Sequence, residues 1–327
     1  MKAIRLHEQG DPSVLRYEEV PVPTPGPGEV LIRVHAAGIN PPDWYMRGGL
    51  SSMPGETTST FRLPAIPGTD ISGVVASPAD GFPVDAEVFG MVRFPSFHGG
   101  GYAEYITAPV SDLARKPAGL SHVQAAGVPM AALTAWQFLI EVGHDEPNPF
   151  QPFPHRPVPL GPGMTVLVNG AAGGVGHFAV QLAAAAGARV VAVASGRHES
   201  FVRSLGASSF VDYTKEDPGD VVRDVDVVLD TVGGPAAGRL LRTVRQGGAV
   251  FPVFPGEYDA AAVAERNVVI SGTQVRSSGA QLAELGRMLD AGTLVVGIDS
   301  TFLLAEAAAA HERAARGHLQ GKIVLTV

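Results

Sequence analysis

A chain of 327 residues, 45% hydrophobic and 17% charged, is long enough for two globular domains with substantial cores. A formal net charge of −8 argues against nucleic acid as the main partner. No apolar run approaches the roughly 20 residues that cross a bilayer, and the opening MKAIRLHEQG lacks the apolar core of a signal peptide, so no membrane partner and a cytoplasmic protein are expected. There is no cysteine, which excludes disulfides, thiol nucleophiles and cysteine-ligated zinc.

Residues 1 to about 120 read as β-rich, with candidate strands Lys2–His7, Val14–Val20, Glu29–Ala37, Ile71–Ser77, Glu87–Met91, Tyr102–Thr107 and Leu113–Lys116. Pro, Gly and Asp separate them, a pattern that suits a small, partly open barrel. A helix follows from Ser121, a plausible N-cap, to about Val142. Glu146–Gly163 holds seven prolines from Pro147 to Pro162 and has no period, so it reads as a stiff extended loop.

From Met164 to about Gly272 strands and helices alternate. The expected strands are Thr165–Asn169, Arg189–Ala194, Ser209–Asp212, Val225–Asp230, Ala249–Val253 and Val268–Ser271, with helices at Glu199–Leu205 and Pro235–Val244 among those between them. Six strands in that alternation predict a doubly wound parallel sheet. A helix Ala280–Ala291, a strand near Val295–Ile298, a helix Leu304–Arg316 and a strand Lys322–Val327 follow.

The stretch Val166–His198 carries the chemistry. An apolar β-branched run stops at Asn169–Gly170, a glycine-rich turn runs from Ala171 to Gly176, and an alanine-rich helix leads to a second apolar run at Val190–Ala194. This is the strand, phosphate turn, helix, strand order of a dinucleotide-binding unit. Gly173 permits close approach of a pyrophosphate, Gly176 permits tight packing of helix on strand, and the helix start at Gly174–Val175 offers N–H groups to the phosphates.

Taken together, MKAIRLHEQGDPSVLRYEEVPVPTPGPGEVLIRVHAAGINPPDWYMRGG, PGTDISGVV, GGYAEYITAP, VPMAALTAWQFL, AAGGVG, DTVGG and GHLQGKIVLTV resemble the medium-chain dehydrogenase/reductase superfamily, in its zinc-free, zeta-crystallin-like quinone oxidoreductase branch. The resemblance implies an α/β chain: a GroES-like catalytic domain over 1–125, completed by 274–327, and a Rossmann dinucleotide-binding domain over 126–273. It implies hydride transfer from a nicotinamide to a quinone or an α,β-unsaturated carbonyl, and a homodimer. A trans-acting enoyl reductase, a dedicated biosynthetic reductase, or a nucleotide-binding structural or regulatory protein would reuse the same residues.

Zinc-dependent relatives place a cysteine where this chain has Asn40 and a His-Glu pair where it has Thr69–Asp70, so no metal is expected. An NAD reader has an acid about 20 residues past the turn; here Ser195–Gly196–Arg197 stand there. Arg197 can pair with a 2′-phosphate, and Tyr213 matches a family tyrosine near that phosphate, which favours NADPH. A solvated first-turn charge and a surface aromatic are the plain alternatives. Lys322 is expected to add charge from the C-terminal segment.

Asn40 and Tyr45 match family positions facing the nicotinamide, where Asn40 can donate an N–H to a carbonyl oxygen and Tyr45 a hydrogen bond or a proton. A turn residue before proline and a wall aromatic are equally open readings. Thr134 matches a threonine near the nicotinamide or is a back-bonded helix hydroxyl. Val232, Val253, Thr273 and Val275 are expected to hold the nicotinamide ribose and carboxamide through their backbones. Asp43 and Asp70 read as structural turn aspartates. His98 reads as a pocket-lining or plain loop residue, and the long link Arg47–Leu63 as a lid over the substrate mouth.

Overall fold

The computed structural model describes residues 1–49, 62–79, 81–96, 99–146, 151 and 153–327. The proline-punctuated first third forms β1 (Lys2–Leu6), β2 (Leu15–Glu19), β3 (Glu29–Gly38), helix α1 (Pro41–Gly48), β4 (Asp70–Ser77), β5 (Glu87–Met91), β6 (Tyr105–Pro109) and β7 (Leu113–Arg115). Helices α2 (His122–Ala126) and α3 (Pro129–Leu139) follow. Strand and helix then alternate through β8 (Thr165–Asn169), α4 (Gly174–Ala185), β9 (Arg189–Ala194), α5 (Glu199–Ser204), β10 (Ser209–Asp212), α6 (Pro218–Val221), β11 (Val225–Asp230), β12 (Val244–Pro252), α7 (Ala260–Glu265) and β13 (Val269–Ile270). The remaining elements are α8 (Gly279–Asp290), β14 (Ile298–Leu303), α9 (Ala307–Ala315) and β15 (Lys322–Thr326).

Two compact units result. One joins Met1–Leu133 to Val275–Val327; the other is the continuous stretch Thr134–Gln274. In the second unit six strands lie in the order β10-β9-β8-β11-β12-β13, every neighbouring pair parallel. The chain enters at β8, steps outward to β10, then returns to β11 on the other side of β8, which is the doubly wound arrangement. Its central strands are apolar on both faces, as a sheet covered on both sides requires: Val166, Leu167, Val168, Val227, Val228 and Leu229 are all fully buried.

The first unit holds a seven-stranded sheet ordered β14-β15-β3-β4-β5-β7, with β6 also on β3, and the separate pair β1-β2. The ten-residue β3 is its spine. β15 runs antiparallel to it with Val324 opposite Gly38 and Leu325 opposite Ala37. β4 runs antiparallel on the other side with Asp70 opposite Gly38. Both registers deliver Lys322, Asp70 and the residues after Gly38 to one end of the sheet.

Three local expectations are corrected. The single helix expected over Ser121–Val142 is two, because Pro129 has no N–H to give the preceding turn and heads α3 instead. Ser121 does cap α2, its hydroxyl accepting from the Gln124 N–H at 3.2 Å. The helix expected over Pro235–Val244 is a short 3-10 stretch, Ala237–Arg242. The strand expected near Val295–Ile298 begins only at Ile298. Helix α1 was not anticipated from Asn40-Pro41-Pro42-Asp43, although two prolines behind an asparagine are a helix start.

Of the expected lid, 50–61 lie outside the described residues, as do His98 and, in the proline-dense segment, 147–150 and 152. The rest of that segment is pinned within the second unit. His155, buried between Phe138 and Phe251, bonds the Phe138 carbonyl oxygen through Nε2 and the Ser271 hydroxyl through Nδ1, each at 2.9 Å. Gln151 Oε1 accepts the Gly272 N–H at 2.8 Å.

Candidate functional site

In the second unit the turn after β8 is built from two glycines with different reasons to be glycine. A Cβ on Gly176 would collide with the Gly170 carbonyl oxygen and stand 2.8 Å from the Ala171 Cα, so the fold itself demands glycine there. A Cβ on Gly173 would meet the Gly170 oxygen at 3.3 Å, a tight contact but far milder than at Gly176, and its φ of −78° is one that any residue adopts. Gly173 is the N-cap of α4, so Gly174, Val175 and Gly176 fall in its first turn, whose N–H groups lack acceptors within the helix.

At the carboxyl end of β9 the chain makes a 3-10 turn, Gly196–His198. Ser195 is 8% exposed, and its Oγ has no hydrogen-bond partner among the described residues. Arg197 is exposed, and its Nε lies 3.2 Å from His198 Nε2. Beneath this turn sits Asp212, from the end of β10. Its Oδ1 accepts the Thr214 N–H at 3.1 Å and the Thr214 hydroxyl at 2.7 Å, and those bonds hold the carboxyl below its ordinary range. A Cβ on Gly196 would strike the Asp212 carboxylate. Sequence reasoning missed this acid; it comes from the third strand, not the second, and it serves the local turns. Tyr213 follows it and is partly exposed.

At the end of β11, Asp230 accepts from the Asn169 side-chain amide at 2.8 Å and from the N–H groups of Val232 and Gly233 at 3.0 and 3.1 Å. This props the DTVGG turn, on which Val232 is 55% exposed. Val253 donates its N–H to the Asp230 carbonyl oxygen at 2.8 Å, and Thr273 Oγ1 lies 3.4 Å from His144 Nε2. Thr134 is buried, as is Val275.

In the first unit the registers of β3, β4 and β15 assemble a buried polar cluster around Asn40. Its Nδ2 donates to Asp70 Oδ2 at 2.9 Å, its Oδ1 takes a very short bond from the Lys322 ammonium, and its backbone N–H donates to Asp43 Oδ2 at 2.8 Å. Lys322 also donates to the Ile39 carbonyl oxygen at 2.9 Å. Asp70 accepts the Met130 N–H at 3.0 and 3.1 Å; Asp43 accepts the Gly68 N–H at 3.1 Å and the Tyr102 hydroxyl at 3.0 Å. His311, whose ring meets Tyr102 edge-on, lies 3.4 Å from that hydroxyl, and burial lowers it to about 3, so it is neutral.

Burial drives Asp70 up to about 7 and Asp43 up to about 6, against the pull of the Lys322 ammonium and the hydrogen bonds each accepts. Burial likewise lowers Lys322, and the two carboxyls oppose it. Two carboxyls around one ammonium leave the cluster with one proton to spare near neutrality.

Lys322 is therefore a correction. Only 4% exposed, its ammonium is bound inside the first unit's core and adds no charge to a phosphate site. Asn40 is also deeply buried, with both ends of its amide occupied. Tyr45 stands on α1, half-buried, and burial holds its phenol above the ordinary range, so it keeps its proton at neutral pH. Asp43 does serve the local backbone, through the Asn40 N–H, but Asp70 is no turn aspartate: it opens β4, and its backbone donor, Met130, lies 60 residues along the chain. Tyr102 and His311, unremarked in the sequence, complete it. Among the described residues no group of three or more His, Cys, Asp or Glu side chains converges as metal ligands do, and no helix is long and apolar enough to cross a membrane.

These two units are those of a nucleotide-dependent oxidoreductase. Residues 26–118 match the alcohol dehydrogenase GroES-like domain and residues 205–325 the family described as zinc-binding dehydrogenase. The chain is 30% identical to the mouse mitochondrial NAD(P)H oxidoreductase RTN4IP1, covering all of this chain and 89% of that one. The quinone oxidoreductase of Coxiella burnetii has the same fold, with a TM-score of 0.85, 31% identity, and coverage of 100% and 99% of the two chains. A mycobacterial protein solved in complex with NADPH gives a TM-score of 0.83 at 27% identity, covering both chains fully. The chain belongs to the medium-chain dehydrogenase/reductase superfamily, in its quinone oxidoreductase branch.

Proposed function

We propose that the protein is an NADPH-dependent reductase that delivers hydride to a quinone or to the β-carbon of an α,β-unsaturated carbonyl, without zinc. The observation that carries the nucleotide reading is the buried Ser195 hydroxyl, without a partner among the described residues, at the end of the second parallel strand and two residues from an exposed arginine. A buried hydroxyl left unsatisfied costs about 1–3 kcal/mol, and a 2′-phosphate oxygen on the ribose would relieve it. Bound NADPH supplies the hydride.

The chain's part is to bind and to orient. Gly173 leaves room for the pyrophosphate, and the N–H groups of Gly174, Val175 and Gly176 face it. Ser195, Arg197 and Tyr213 hold the 2′-phosphate. Thr134, Val232, Val253, Thr273 and Val275 are the residues of this reading for the nicotinamide end. Tyr45, protonated at neutral pH, offers an O–H to the oxygen on which negative charge develops. Asn40, clamped from both sides, presents what remains of its amide in one fixed orientation.

Zinc is left out for a chemical reason. The chain has no cysteine, and the Asn40 carbonyl oxygen already takes the Lys322 ammonium, a cation that repels a second one. A homodimer would use the free edge at β13, where Val269 is exposed. Steady-state oxidation of NADPH and NADH with a panel of quinones and alkenals, together with metal analysis, tests the reading. Turnover that prefers NADPH in metal-free protein is expected; preference for NADH, or stoichiometric zinc, overturns it.

A further inference from the structure

His198 lies in the same turn as Ser195 and Arg197, and it is only 7% exposed. Its backbone N–H donates to the Ser195 carbonyl oxygen at 2.9 Å, and its Nε2 stands 3.2 Å from Arg197 Nε. A guanidinium nitrogen can only donate. Nε2 must therefore accept, which places the imidazole proton on Nδ1. The bond takes the Nε–H of Arg197. The imidazole is itself buried and closes the 3-10 turn that its backbone N–H bond to Ser195 completes. An exposed arginine that is tethered at Nε loses less freedom on binding than one that must be caught from solution.

We propose that His198 is a positioning residue that sets nucleotide specificity: its Nε2 orients the Arg197 guanidinium toward the 2′-phosphate, and so favours NADPH over NADH. The proposal rests on the NADPH reading above. Nothing about the hydride step depends on it, since the 2′-position is remote from the nicotinamide.

The test is a set of dissociation constants for NADPH and NADH, by protein fluorescence, on wild type and variants. His198→Leu removes the acceptor and should weaken NADPH roughly three- to tenfold, the equivalent of immobilising one long side chain, with NADH unchanged. His198→Gln restores an acceptor at similar reach and should stay within about twofold of wild type. Arg197→Ala/His198→Leu should bind NADPH no worse than Arg197→Ala alone. Equal losses on both nucleotides in His198→Leu would make His198 merely structural and overturn the proposal, as would unchanged or tighter NADPH binding. If His198→Leu does not fold, Arg197→Lys decides: it keeps the charge but has no N–H at the Nε position, so wild-type NADPH affinity there overturns the proposal. A failure of the underlying reading looks different, since Arg197→Ala would then lose NADPH and NADH equally.

Discussion

Replacing Lys322 by methionine removes the one cation that both Asp70 and Asp43 feel. It also strips a donor from the Ile39 carbonyl oxygen and from Asn40 Oδ1. The lost hydrogen bonds cost about 1–3 kcal/mol at any pH. A titrating part is added. Both carboxyls are already raised, to about 7 and about 6, and without the ammonium both rise further. A carboxyl raised in the folded state lets that state bind a proton that the unfolded chain releases, so its contribution favours folding at low pH and is lost as pH rises. Each pH unit over which the variant holds a proton that wild type has released is worth about 1.4 kcal/mol. The variant's deficit should therefore be largest near about pH 8, at roughly 3–5 kcal/mol, shrink toward about pH 6, and level off below that at the cost of the hydrogen bonds. The chain has two tryptophans, Trp44 on α1, packed against the core that holds Tyr102 and Leu325, and Trp136 in the other unit. In a Trp136→Phe background, Trp44 fluorescence during urea unfolding reports on the cluster's own unit. A deficit that stays constant across this pH range, or a variant as stable as wild type, would refute the reasoning.

The two glycines of the phosphate turn should separate stability from binding. Gly173→Val should cost only about 1 kcal/mol, an N-cap effect, yet abolish nucleotide binding; Gly176→Ala should lower stability by about 1–3 kcal/mol or more through backbone overlap, read by thermal unfolding. Arg197→Ala should weaken NADPH by roughly 10- to 100-fold, the range for a charge-assisted bond of about 1.5–3 kcal/mol, with NADH little changed by titration calorimetry. Tyr45→Phe should lower turnover with NADPH affinity intact, and a wild-type rate would reduce Tyr45 to wall packing.

The doubly wound sheet was legible because its signals are local. A β-branched run, a glycine turn, an alanine-rich helix and a second run declare themselves within Val166–His198, and the sheet order β10-β9-β8-β11-β12-β13 is built around them. Gly173 and Gly176 could be told from other glycines by their spacing alone. The Asn40 cluster was not legible in the same way. A lysine beginning the apolar strand KIVLT reads as a polar strand end, and its burial follows only from the pairing of β15 with β3, which no short window of sequence reveals. Asp212 was hidden for a similar reason: the dinucleotide fingerprint expects an acid at the end of β9, while this carboxylate comes across from β10. Helix α1 was obscured because a pair of prolines reads as a turn, when at the first positions of a helix they need no donor.

Lys322 reaches Asn40 across a separation of 282 residues, and the whole of Thr134–Gln274 is translated between them. A nascent chain emerging from the ribosome thus holds two interior acids and an unfinished β3 edge for as long as it takes to make an entire nucleotide-binding unit. That unit is continuous and can fold at once; its companion must wait. Synthesis imposes an order of assembly in which the half that offers the acid-rich interior is the one completed last.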